Sequence, residues 1–165
     1  MSKKVAYYGI FAALAVLMGY VEFVLPSPVP IQGVKLGLVN VIVVIAMYFM
    51  GEKSALAISV VRVIMSSLLF GGFSGFLYSI AGALVSFGAM CIVKKIKAVS
   101  IIGVSIVGGI FHNIAQITVA ALVLNTKGVF YYLPVLLISG VITGIIIGLI
   151  SKYCLAHIEK AGIRF

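Results

Sequence analysis

The stretch SALAISVVRVIMSSLLF, Ser54 to Phe70, is a nearly unbroken apolar run with one charge, Arg62, near its middle. A run of this kind reads as a membrane-spanning helix. An arginine at its centre costs about 2.5–3.5 kcal/mol on insertion scales. The guanidinium therefore needs an acidic partner, a water-filled cavity or a bound anion, and which of these it has bears on what the protein does.

The rest of the chain has the same character. Of 165 residues, 64% are hydrophobic, the mean hydropathy is +1.33, and twelve basic residues face three acidic ones with no aspartate. Soluble chains average nearer half apolar and a quarter charged, so this composition reads as an integral membrane protein. Six runs of spanning or near-spanning length follow one another, at about 5–25, 34–50, 54–70, 73–93, 100–124 and 129–150. They form one membrane domain over 1–165, an all-α bundle of six transmembrane helices. Pro26, Pro28 and Pro30 separate the first two runs, Gly51-Glu52-Lys53 the next pair, and Gly71-Gly72 the third from the fourth. Lys94-Lys95-Ile96-Lys97 ends the fourth, and Asn125-Thr126-Lys127-Gly128 the fifth. The second and third runs are short, so burial against neighbours or local thinning of the bilayer is expected. The first run is too long for the apolar core of a signal peptide, and no small-x-small site follows it, so it reads as a retained span.

The lysines set the orientation. With the N-terminus cytoplasmic, the inner segments hold Lys3, Lys4, Lys53, Lys94, Lys95, Lys97, Lys152, Lys160 and Arg164, and the outer ones hold Lys35 and Lys127. That asymmetry follows the positive-inside rule and places both termini in the cytoplasm of a multi-pass protein of the cytoplasmic membrane. The basic balance thus reports topology, and no nucleic-acid partner is expected. Tyr7, Tyr8, Tyr48, Phe49 and Phe130 to Tyr132 fall at span ends, as interfacial aromatics do.

In this frame the intramembrane polar residues gather in the outer half: Glu22, Lys35, Asn40, Arg62 with Ser66 one turn further out, Tyr78, Ser79, His112, Asn113 and Gln116. Such a cluster suggests a pocket open to the outside. Glu22 is the one acid in that half, against Lys35 and Arg62, so an anionic ligand would balance the charge. Each residue also has a structural reading. Glu22 and Arg62 would pair with each other, Lys35 would snorkel to the interface, and Asn40, His112 and Gln116 would hydrogen-bond between helices. Phe70, Phe73, Phe76 and Tyr78 offer faces for an apolar or ring-bearing part of a ligand. Rows of small residues, Gly9 with Ala13, Ala15 with Gly19, Ser105 with Gly109, and Gly140, Gly144 and Gly148, allow close helix contact or docking of another membrane subunit.

Catalytic signatures are absent from the sequence. It holds no phosphate-cradling glycine-rich loop, no carboxylate pair, no aspartate-rich magnesium site, and no Cys/His spacing for metal or haem. Cys91 and Cys154 read as unpaired thiols. The expectation is a non-enzymatic protein without cofactor or metal.

Four segments carry a family resemblance: Pro28-Val-Pro-Ile-Gln-Gly-Val-Lys-Leu-Gly-Leu-Val-Asn40, Arg62 with Ser67-Leu-Leu-Phe-Gly-Gly72, Tyr78-Ser-Ile-Ala-Gly82 and Phe111-His-Asn-Ile-Ala-Gln116. They resemble the Gx transporter family, also labelled heptaprenyl diphosphate synthase component I, over about residues 5–155. That family resembles the substrate-binding S components of energy-coupling-factor transporters. The resemblance implies an outward-facing site in a six-helix bundle, with Gly9 and Ala13 facing a coupling subunit that works with ATPases. On this reading Arg62 and Lys35 hold an anionic group, Asn40, His112, Asn113 and Gln116 orient the ligand, Glu22 balances Arg62, and Tyr78 stacks. Two alternatives accompany it. One is a membrane subunit of an extracellular electron-transfer system with a flavin- or quinone-linked partner, and the other is a non-catalytic accessory subunit in prenyl diphosphate synthesis.

Overall fold

The computed structural model describes residues 2–25, 37–163 and 165. Lys35 and the proline-rich segment lie outside the described residues. Among those described, the chain forms six α-helices and no strand: α1 (Ser2–Val24), α2 (Asn40–Phe49), α3 (Glu52–Ser66), α4 (Gly72–Lys94), α5 (Ile101–Val123) and α6 (Leu133–Lys160). A π-helical turn, Ser67–Gly71, joins α3 to α4, and a 3₁₀ segment, Lys127–Tyr132, leads into α6. Among the described residues four segments are long and apolar enough to cross a membrane: Lys4–Val24, Glu52–Lys94, Ile101–Val123 and Lys127–Lys160. By the length and composition of these helices the chain is a membrane protein.

The long segment Glu52–Lys94 is interrupted where Gly71-Gly72 predicts a break. Gly72 takes φ +63°, a conformation open to glycine at no steric cost, and α3 and α4 pack against each other on either side of it.

Helix α2 departs most from its expected span. Its helix begins at Asn40, and its ten residues rise about 15 Å, half of a bilayer core. All but Tyr48 and Phe49 are buried, and it packs against α1, α3, α5 and α6. A helix that is apolar all round is stable where neighbours enclose it, which is why so short a segment sits at the centre. Its Val41, Val43, Val44, Ala46 and Met47 form the core with Ala15, Ala55, Ile58, Phe87, Met90, Val104 and Ile147.

Helix α6 runs on past the expected end at 150. Its extension, through Lys152 and His157 to Lys160, carries basic residues near a C-terminus, where they complement the helix dipole. That extension, the N-terminus of α1, the turn between α2 and α3 and the end of α4 all lie on one face. Lys94 Nζ bonds the Met47 carbonyl at 3.2 Å and pairs with Glu52 at 3.5 Å. Tyr8 and Ser54 share a hydrogen bond of 2.6 Å, and the Phe165 ring touches Tyr7, Tyr8 and Phe49 while the Lys4 ammonium sits 4.9 Å over it. Lysines 4, 53, 94, 95 and 97 thus belong to the same end of the molecule.

The small-residue rows divide by function within the bundle. On α6, a Cβ at Gly144 would stand 2.6 Å from the Ile106 backbone, and one at Gly148 2.6 Å from Ile102, so α5 and α6 approach backbone to backbone. On α1, Ala15 is fully buried and Gly19 meets Ser66 of α3, whereas Gly9 and Ala13 lie on the exposed side.

Candidate functional site

Glu22 and Arg62 are the two buried charged residues among those described, 6% and 4% exposed. Glu22 sits less than a turn from the end of α1. Its Oε1 accepts hydrogen bonds from the backbone N–H of Gly37 and, at 3.0 Å, of Leu38. Two successive amides converge on one oxygen because Gly37 is left-handed, at φ +80°. The same glycine is required for space, since a Cβ there would lie 3.2 Å from Asn40 Nδ2 and 3.3 Å from the His112 ring. The Gly37 carbonyl then accepts from the Asn40 N–H at 2.9 Å, opening α2.

His112 comes from the other side of the cluster. On α5, Gly108, His112 and Gln116 follow at four-residue intervals on the face toward α4, with Gly108 against Met90. At Gly82 of α4, a Cβ would stand 2.7 Å from His112 Cε1 and 3.2 Å from Gln116 Cγ. His112 therefore lies in a slot walled by two glycines, Gly37 and Gly82.

Arg62 projects from α3, and Glu22 is the carboxylate whose charge acts on it. Among the described residues its Nε has no hydrogen-bond partner, nor do Asn40 Nδ2 and Ser66 Oγ, all three buried. The first two are pure donors and the third a hydroxyl. Buried donors without partners are costly, so a group able to accept from them fits this cluster.

The structure thus brings Glu22, Arg62, Asn40, His112 and Gln116 into one buried neighbourhood. Asn113 faces away from it. Its Nδ2 donates to the Leu136 carbonyl at 2.6 Å and lies against Gly140, joining α5 to α6. Tyr78 also lies apart, packed in an apolar cluster with Ile117, Ala120, Val129 and Leu136. Phe70 meets Tyr20 and Phe23 of α1, with ring centroids 5.7 and 5.2 Å apart, and Phe73 is exposed. The aromatic residues at the third turn therefore do not form one surface. No group of three or more His, Cys, Asp or Glu side chains is gathered among the described residues.

Sequence reasoning passed over the glycines that shape the site. Gly37 and Gly82 stand inside the quoted motif segments, Lys35-Leu-Gly-Leu and Tyr78-Ser-Ile-Ala-Gly, and their position beside polar residues was the available signal. In the sequence Gly19 reads only as part of a packing row with Ala15.

These features define a membrane-embedded helical bundle with a buried, donor-rich polar cluster. The chain belongs to the heptaprenyl diphosphate synthase component I family, whose family model matches residues 11–154, from the first helix into the sixth. No curated protein and no solved structure matches it.

Proposed function

We propose that this chain is a non-catalytic, ligand-binding membrane subunit of the S-component type. It crosses the cytoplasmic membrane six times with both termini inside, and holds a small anionic or ring-bearing molecule in its outer half. The observation that carries this reading is the set of buried donors, Arg62 Nε, Asn40 Nδ2 and Ser66 Oγ, that no acceptor among the described residues satisfies. Arg62 and Asn40 would bind the anionic group, Glu22 would balance Arg62 and hold the entry to α2, and His112 and Gln116 would orient the ligand. The break at Gly72 divides the long third segment and brings the spanning helices to five, short α2 supplies the sixth crossing on this reading, and the lysines shared at one face support the orientation. The exposed Gly9 and Ala13 leave α1 accessible to a coupling subunit, whose ATPases would supply the energy for transport.

The family name favours a second reading, in which the chain is an accessory component of a prenyl diphosphate synthase complex. A sequence without aspartate leaves the chemistry of such an enzyme to a partner. The two readings separate by native mass spectrometry and co-purification. The first expects a small molecule bound to the purified chain, lost in Arg62→Ala with the helical signal intact, and an ATPase module among its partners. A ligand-free chain that co-purifies with a soluble prenyl synthase subunit would overturn the first and support the second.

A further inference from the structure

In a membrane helix an isolated hydroxyl ordinarily bonds its own backbone. Five side chains here do so, with Ser67, Ser86, Thr118, Ser139 and Thr143 each bonding a carbonyl three or four residues back, at 2.7 to 3.2 Å. Ser66 does not, although it is 5% exposed and its Oγ has no hydrogen-bond partner among the described residues; Ser105 of α5 shares that state, but Ser66 alone of the two stands on the helix that carries Arg62. The hydroxyl is aimed across the helix interface instead. A Cβ at Gly19 of α1 would stand 2.8 Å from it, so glycine there is what lets α1 approach the hydroxyl.

Ser66 lies four residues beyond Arg62 on the same face of α3, and side chains on a helix lean toward its N-terminus. Both side chains are buried, so they share the packed face of α3 with Ser66 one turn beyond Arg62. On the opposing helix, Gly19 and Glu22 are three apart and share the facing side. One turn further out, Phe70 of the π-helical turn meets Tyr20 and Phe23 across the same interface.

We propose that Ser66 is a further ligand contact, its hydroxyl and the Arg62 Nε–H donating together to one oxyanion, a carboxylate or a phosphate, in the seam between α1 and α3. The inference rests on the reading of the cluster as an anion pocket and adds the place where the anion sits. A cation could meet the lone pairs of the hydroxyl but would leave the Arg62 Nε–H unsatisfied, whereas an oxyanion with two free oxygens satisfies both. The aromatic contacts above the seam favour an oxyanion carried on an apolar body over a free inorganic ion. A lone water between the two donors is the competing occupant.

The test probes the seam with reagents of opposite charge. In a full-length chain with Cys91→Ala and Cys154→Ala, Ser66→Cys places a thiol where the hydroxyl stands. Membrane-impermeant methanethiosulfonates, one bearing a sulfonate and one a trimethylammonium, are applied from outside, with rates normalised to a free thiol. The expected result is about a tenfold preference for the sulfonate, the scale on which charged clefts concentrate ions. Arg62→Gln in the same background should bring the preference close to one, with Arg62→Lys as the variant that keeps the charge if Gln unfolds the chain. A preference near one with arginine present, a preference that survives Arg62→Gln, or no modification at all overturns the proposal. If ligand retention in the otherwise native chain still depends on Arg62, the pocket reading stands and Ser66 alone is excluded from it. Failure of both removes both.

Discussion

Gly82→Ala isolates how tightly the site holds His112. The added methyl would begin 2.7 Å from His112 Cε1 and 2.8 Å from Nδ1, where ordinary contact needs about 3.4 Å or more. The ring must then move by several tenths of an ångström, and its other edge already faces Gly37, where a Cβ would be 3.3 Å away. Overpacking of this kind costs about 1–3 kcal/mol, while replacing a mid-helix glycine by alanine returns about 0.8–1 kcal/mol. The net expectation is a destabilisation of about 0–2 kcal/mol, against stabilisation if the methyl were free, together with weaker ligand retention. Gly88→Ala is the control within the same helix, because a Cβ there meets nothing within 4 Å. It should leave retention unchanged and stabilise the chain by up to about 1 kcal/mol. Reversible unfolding in mixed micelles gives the stabilities, and native mass spectrometry the retained ligand. If Gly82→Ala matches Gly88→Ala in both measurements, His112 is not confined as the two glycines imply, and its assignment as an orienting residue loses its basis.

Further expectations follow from the other contacts. Glu22→Gln keeps the shape but replaces a charged acceptor for the Gly37 and Leu38 amides by a neutral one, and should cost about 1–3 kcal/mol in the same unfolding assay. Asn113→Ala removes the 2.6 Å bond to the Leu136 carbonyl and should destabilise by about 1–3 kcal/mol while leaving ligand retention intact; lost retention at unchanged stability would return Asn113 to the site. Gly144→Val sets a branched side chain against the Ile106 backbone, where a Cβ alone is at 2.6 Å, and should abolish folded, monodisperse protein on size exclusion. Glu52→Gln, which breaks the partly exposed pair with Lys94 at 3.5 Å, should change stability by less than about 1 kcal/mol.

The helical class was legible because apolar runs and their Gly, Pro and Lys breaks need no tertiary information. Arg62 stood out for a similar reason, since a buried charge is costly wherever the helix is placed. The extent of α2 was not legible: Val34 to Met50 reads as one apolar run, yet the helix begins at Asn40, after the Glu22–Gly37 contact has turned the chain. Nor was the parting of Tyr78 from the cluster. Depth along a helix follows from residue number, but the direction a side chain faces depends on which neighbour packs there. Tyr78 shares a depth range with the site and turns to Ile117 and Val129 instead.

His112 and Asn113 show what sets that direction. Adjacent on α5, they differ by about 100° around the axis, so one rotation of the helix assigns both. Two small-residue ridges determine the rotation. Gly109 meets Gly140 backbone to backbone and carries Asn113, one turn on, to α6, while Gly108 meets Met90 and carries His112 and Gln116 to α4. Exchanging the two faces would press Met90 and the α6 backbone against side chains that do not fit them. The glycine row Gly140, Gly144 and Gly148, which by itself reads as generic packing, is therefore what aims the imidazole at Gly37 and Asn40. An enlargement on α6 small enough to leave the chain folded should disturb the site by turning α5, without touching it.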